Sequence, residues 1–175
     1  MMQARSTPPH AESLTLLAQA LAADAQPARG LRALAEALAS RVGYRLFTVL
    51  VLDREAALSR RYFSSAPAAY PPGGAKPIRE DSEFFAAVVQ AGVPRICNDR
   101  AACEKAFADH ELIRSLGCES AVNVPVRWDG QTIASLNLLH EAGWYRRDML
   151  DELRWYAALS IPVIHRILQT TRQQG

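Results

Sequence analysis

Cysteine is scarce in this sequence and arranged in no pair. Cys97, Cys103 and Cys118 form no C-x-x-C motif. An odd number of scattered thiols argues against the stapled framework of a small secreted domain, so the expected setting is the reducing cytoplasm. Charge of one sign is short as well. The formal net charge is +2, and the arginines are dispersed rather than gathered into a stripe, so no nucleic-acid partner is expected. No stretch approaches the ~18 apolar residues that span a bilayer, so no membrane association is expected either. A G-x-S-x-G elbow for a serine nucleophile is missing. The residues that ligate metals are spread out: Cys103 and His110 lie seven apart, and His140 and His165 are distant. Neither a metal nor a cofactor is therefore expected.

What is present describes a globular chain. Its 175 residues are 49% apolar and 22% charged, which suits one domain with a real core. Residues 1–9 read as a flexible tail, with Thr7-Pro8-Pro9 barring regular structure. The run LTLLAQALAADA (14–25) has the length of an export-signal core, but two prolines and an acid precede it. Leu14, Leu17, Ala18 and Leu21 instead fall on one face of an amphipathic helix. Pro27 suits the first turn of a second helix carrying Leu31, Leu34, Ala35 and Leu38 and ending near Gly43.

YRLFTVLVLD (44–53) is a β run, and LSRRYFSS pairs back after a turn around REAA. APAAYPPGGAKP (66–77) packs four prolines and two glycines into twelve residues, the composition of a surface or lid loop. Its glycines lack the strand–loop–helix setting of a phosphate cradle. DSEFFAAVVQAG predicts a helix, VPRICND an edge-like strand, and RAACEKAFADHELIRSLG a helix in two pieces with Asp109 capping the second. Residues 119–128 and 131–140 are strands joined by Asp129-Gly130, the strongest short hairpin signal. An uninterrupted two-residue hairpin puts Val126 opposite Ile133, Val124 opposite Ser135, Val122 opposite Asn137 and Asn123 opposite Leu136. A long helix from about Asp148 closes the chain and should kink at Pro162. The order of elements predicts an α+β domain around a mostly antiparallel sheet.

The run LGCESAVNVPVRWDGQTIASLNLLHEAGWY (116–145) resembles the final hairpin of a GAF domain, where Leu-Gly-x-x-Ser leads into Asn-Val-Pro-Val, a glycine turn and a Leu-Asn-Leu strand. The element order over residues 10–172 resembles that family too. The resemblance implies a single GAF/PAS-like domain: an antiparallel sheet with helices on both faces and the N- and C-terminal helices packed together. It also implies a small-molecule-sensing module, with a pocket between one sheet face and crossing helices at 81–91 and 99–116. It further implies a homodimer through the first and last helices. Because the domain fills most of these residues, signalling would run through those helices or through a separate output protein. The ligand would be an unknown small organic molecule.

One branch of the family, the free methionine-(R)-sulfoxide reductases, does thiol chemistry in that pocket. The resemblance makes Cys97, Cys103 and Cys118 its candidate catalytic residues here, although the spacing departs from that branch. Cys118 follows a helix C-terminus beside Glu119, where the local potential disfavours a thiolate, so buried packing is its ordinary reading. The Asn-Lys-x-Asp-Glu signature of cyclic-nucleotide-binding relatives and the Cys-His pair of bilin-binding ones are missing. A third alternative is a degenerate scaffold whose pocket is filled by side chains. Asn123 and Asn137 are candidate ligand contacts or, equally, structural ties, and the register above sets them on opposite faces. Ser135 and Ala134 leave room beside them. Tyr62, Tyr70, Phe84, Phe85 and Trp144 are candidate pocket walls, although aromatics at such spacings commonly serve the core.

Overall fold

The computed structural model describes residues 9–172; the expected tail at 1–9 lies outside them, apart from Pro9. Helices α1 (Pro9–Ala22) and α2 (Ala28–Arg41) lead into strands β1 (Leu46–Asp53) and β2 (Leu58–Ser64). A short strand β3 (Ala75–Pro77) and a π-helical turn, Phe85–Ala91, follow. Next come β4 (Arg95–Cys97), α3 (Arg100–Ala106), α4 (His110–Ser115), β5 (Ser120–Trp128) and β6 (Gln131–His140). Two closing helices, α5 (Leu150–Leu159) and α6 (Ile161–Arg172), end the described chain. The strands form one six-stranded sheet in the order β3-β2-β1-β6-β5-β4, antiparallel throughout.

Alternation along the strands divides the molecule in two. Phe47, Val49 and Val51 of β1, Val122, Val124 and Val126 of β5, and Ala134, Leu136 and Leu138 of β6 face one way. There they meet Leu34 and Leu38 of α2, Leu153 and Tyr156 of α5, and Ile164 and Ile167 of α6. Each large side chain buried in this way contributes roughly 1.5–3 kcal/mol. The N-terminal helix does pack on the closing helices, with the Ser13 hydroxyl of α1 3.1 Å from the Tyr156 hydroxyl of α5. The other face carries a smaller cluster, including Leu46, Ile113, Ala121 and Leu139, beneath α3 and α4.

Several expectations need correcting. Asp129 and Gly130 do turn the hairpin at positive φ, +48° and +71°, and Trp128 pairs with Gln131. Beyond Arg127–Thr132, however, Ile133 is an extra residue, so Val126 pairs with Ala134, Val124 with Leu136 and Asn123 with Asn137. The turn demands one register, while the apolar sets Val122/Val124/Val126 and Ala134/Leu136/Leu138 demand another, one residue away. A β-bulge reconciles them.

The helix expected through 81–91 is present, but as a π-helical turn over Phe85–Ala91. Asp109 makes no capping bond to α4, whereas Asp99 caps α3 by accepting from the Ala102 amide at 2.8 Å. Residues 75–77, read as loop, pair with β2; Pro77 is tolerated because β3 is an edge. The closing helix is interrupted at Ser160, whose hydroxyl donates to the Ala157 carbonyl at 2.7 Å, and Pro162 lies in the first turn of α6, where its missing N–H leaves no gap.

Candidate ligand-binding site

A cavity of about 750 Å³ lies between the smaller face of the sheet and the layer made by the π-turn, α3 and α4. Its floor is the centre of the sheet: Thr48 and Leu50 of β1, Asn123 of β5, Asn137 and Leu139 of β6. Phe84 and Phe107 supply aromatic wall, and Arg95 enters from β4.

The floor is held by a chain of polar contacts that the bulge makes possible. With Asn123 and Asn137 now opposite each other, Asn123 Nδ2 donates to Asn137 Oδ1 at 2.8 Å. Arg95, the cross-strand partner of Asn123, donates from Nε to Asn123 Oδ1 at 3.1 Å. Ser135 Oγ donates to Asn137 Oδ1 at 3.0 Å. Both amides are almost wholly buried, and leaving such groups unbonded costs about 1–3 kcal/mol each. The guanidinium of Arg95 stands 5.8 Å from the Phe84 ring centre and 5.6 Å from that of Phe107, within range of cation–π attraction.

A second polar group closes one side. The Arg61 guanidinium stacks 3.6 Å over the Tyr70 ring. Tyr70 donates its hydroxyl to Asp109 Oδ2 at 2.5 Å, and Arg61 and Lys76 approach the same oxygen at 3.7 and 4.0 Å. Burial, then the Asp109 carboxylate, pushes the Tyr70 phenol well above its ordinary range, so it stays a donor at any physiological pH. Arg61 also donates to the Pro71 carbonyl at 2.9 Å. The segment 66–74 is thus clipped to β2 and to the start of α4 around one carboxylate.

The sequence-predicted residues divide clearly. Asn123, Asn137, Tyr70, Phe84 and Phe85 line the cavity. Ser135 lies fully buried beneath the amides. Tyr62 does not line it: it is the extra residue of a second bulge, between the Val49–Phe63 and Leu50–Arg61 pairs, and its side chain is exposed. Trp144 lies elsewhere too, stacked on His140 at 3.7 Å and donating its indole N–H to the Val42 carbonyl at 3.0 Å. Arg61, Arg95 and Asp109 were missed as site residues. The signal for Arg95 was a lone charge inside the apolar VPRIC strand; nothing in the sequence pairs that strand with Asn123.

The three thiols lie in the smaller core and none lines the cavity. Burial is the main cause that pushes Cys103 up to about 12 and Cys118 up to about 11, and it raises Cys97 as well. Neutral, buried thiols are poor nucleophiles. Among the described residues, no group of three or more His, Cys, Asp and Glu side chains is placed to hold a metal ion. No described helix is long and apolar enough to cross a membrane.

Comparison with known proteins bears on the family. The GAF domain of a phosphoenolpyruvate-protein phosphotransferase from Acinetobacter superposes with a TM-score of 0.70 at 12% identity, covering 89% of this chain and 92% of its own. The corresponding GAF domain from Coxiella burnetii also gives 0.70, at 11% identity over 94% and 96%. A free methionine-R-sulfoxide reductase from Neisseria meningitidis, solved with its substrate, gives 0.65 at 16% identity over 100% and 99%. At such identities these likenesses concern the fold. No curated protein matches the sequence. The family profile described as GAF domain, however, matches residues 26–166, which is most of the chain, and the chain therefore belongs to the GAF domain family.

Proposed function

We propose that this domain binds a small organic molecule in the cavity beside β5 and β6 and acts as a sensory or regulatory module. The observation that carries the reading is the Arg95–Asn123–Asn137 chain. Polar side chains at the centre of a sheet add less to packing than the valines and leucines around them, yet three of them converge under an open cavity. Occupancy would favour one arrangement of segment 66–74 and of α3 and α4, in proportion to its differential affinity for the two states. Output would pass through a homodimer formed by the terminal helices, or to a separate partner protein. Leu17 is spent inside the domain, but Leu16 and Trp155 stay exposed on α1 and α5, which supports that surface as the interface.

Native mass spectrometry of protein purified without dialysis tests both parts. The expected spectrum is a dimer with one added small-molecule mass per subunit, released on denaturation and lost in Asn137→Leu. A bare monomer that also fails to respond to a fractionated metabolite extract would overturn the proposal.

The thiol-enzyme reading draws on the likeness to the Neisseria reductase fold, but the burial of Cys97, Cys103 and Cys118 away from the cavity weighs against it. Turnover of free methionine sulfoxide would revive it. The filled-scaffold reading conflicts with a cavity of this size.

A further inference from the structure

Most of the hydrogen-bonding capacity left at the cavity floor is donor. A guanidinium has no acceptor atom, so the Asn123 atom that Arg95 Nε meets is its oxygen. Asn123 therefore turns Nδ2 toward Asn137, and the atom receiving it is again oxygen. That Asn137 oxygen also accepts from Ser135, which fills both its lone pairs. What remains is mainly N–H. The second N–H of Asn123 has no partner among the described residues, and Asn137 Nδ2 makes only long contacts, 3.4 Å each, to Thr48 Oγ1 and the Ser135 carbonyl. The two terminal nitrogens of Arg95 make no hydrogen bond to any described residue.

Charge around the cavity points the same way. Asp81 is held by Arg79, Glu83 by Lys105 and Glu104 by Arg100. Asp109 is shared by Arg61 and Lys76. Among the described residues Arg95 has no carboxylate at salt-bridge distance, and it is half-buried between two phenyl rings. Glu83, already bound to Lys105, feels the Arg95 charge only at longer range, and a partly buried guanidinium short of a direct counter-ion is costly. Arg61 is already committed to Tyr70, Pro71 and Asp109, so Arg95 is the cation at the floor without a carboxylate in direct contact.

We propose that the cavity recognises an organic monocarboxylate with an apolar body. The carboxylate lies across the two terminal nitrogens of Arg95, over the Asn123 and Asn137 amides, and the body packs against Phe84, Phe107 and Leu50. A planar guanidinium matches a planar carboxylate through two parallel hydrogen bonds. Arg95 alone supplies positive charge between the two phenyl rings, which suits one carboxylate. This inference rests on the cavity being the ligand site.

Titration calorimetry and ¹H–¹⁵N spectra with benzoate, phenylacetate and indole-3-acetate, set against the three matching carboxamides, test it. The acids are expected to shift the amide signals of Arg95, Asn123 and Asn137 and to bind at least tenfold tighter than the carboxamides. Arg95→Gln should abolish that preference. Arg95→Lys, which keeps the charge without the fork, should retain part of it, and it serves as the test if the glutamine variant does not fold. Arg60→Gln removes the same charge from an exposed position outside the cavity and should change nothing. Carboxamides binding there as tightly as acids, or undiminished acid binding in both Arg95 variants, overturns the carboxylate inference and leaves the cavity reading standing. No response at the cavity to either series overturns the carboxylate inference, while the cavity reading is decided by the native mass spectrum and the metabolite extract.

Discussion

Asn123 and Asn137 are 2% and 4% exposed, in strands otherwise composed largely of valine, leucine and alanine. Their residue type alone marked them as needing partners, and that much was legible in the sequence. Tyr62 and Trp144 were grouped with them because aromatics suit a pocket, but residue type carries no direction: a bulge turned one outward, and a backbone carbonyl captured the other. Cys118 was read as a packing candidate, and the burial of all three cysteines yields a prediction. With Cys118 at about 11 and Cys103 at about 12, roughly one Cys118 thiol in a thousand is ionised at pH 8. In Ellman's assay at pH 8 Cys103 and Cys118 of the native protein should react at least 100-fold more slowly than in protein unfolded in guanidinium. The native rate should rise about tenfold per pH unit between 8 and 10, because the thiolate fraction does so below the folded pKa. Either of these two thiols reacting promptly in the native state would sink this and reopen the thiol-enzyme reading.

Elements were legible wherever periodicity and turn chemistry agreed. The β1–β2 and β5–β6 pairings, the edge position of β4 and the break near Pro162 all follow from them. The failures came where two local signals competed. At the last hairpin the turn and the apolar alternation differ by one residue, and that mismatch was present in the sequence as the sign of a bulge. The bulge also brings Thr132 round to the π-turn, where its buried hydroxyl donates to the Val88 carbonyl at 2.7 Å. A π-turn shifts its hydrogen bonds to i→i+5, and this carbonyl is satisfied from another element. Thr132→Val keeps the shape and removes the donor. It should lower unfolding free energy by about 1–3 kcal/mol in urea titrations and speed hydrogen exchange across residues 85–91. Thr132→Ser should keep most of the stability. Equal stability in the valine variant would show that the bulge and the π-turn are not coupled through this bond.

At the scale of the whole molecule the sheet is a partition between two unequal halves. Of the largest fully buried side chains, only Leu46 and Ile113 belong to the cavity side, and the rest belong to or adjoin the core under α2, α5 and α6. The α+β layout was readable from the order of elements. The cavity was not, because its floor depends on Arg95 meeting Asn123 from 28 positions away, a contact that no local pattern encodes. The asymmetry has a dynamic consequence. Helices α3 and α4 are seven and six residues long, too short to persist without tertiary support, and they rest on a small cluster beside an open space. Opening on that side exposes little apolar surface, whereas opening the other side disrupts the main core. Native-state hydrogen exchange should therefore show α3, α4 and the π-turn exchanging through local opening, with β1, β5, β6 and α5 released only by global unfolding. A bound ligand stabilises only states in which its site is formed, by about 2.7 kcal/mol at a hundred times its Kd. It should slow exchange in the cavity layer up to the point where that layer and the sheet open together. Uniform protection across both halves of the free protein would mean that the cavity layer is not an independently opening unit. Signalling by rearrangement of that layer would then lose its physical basis.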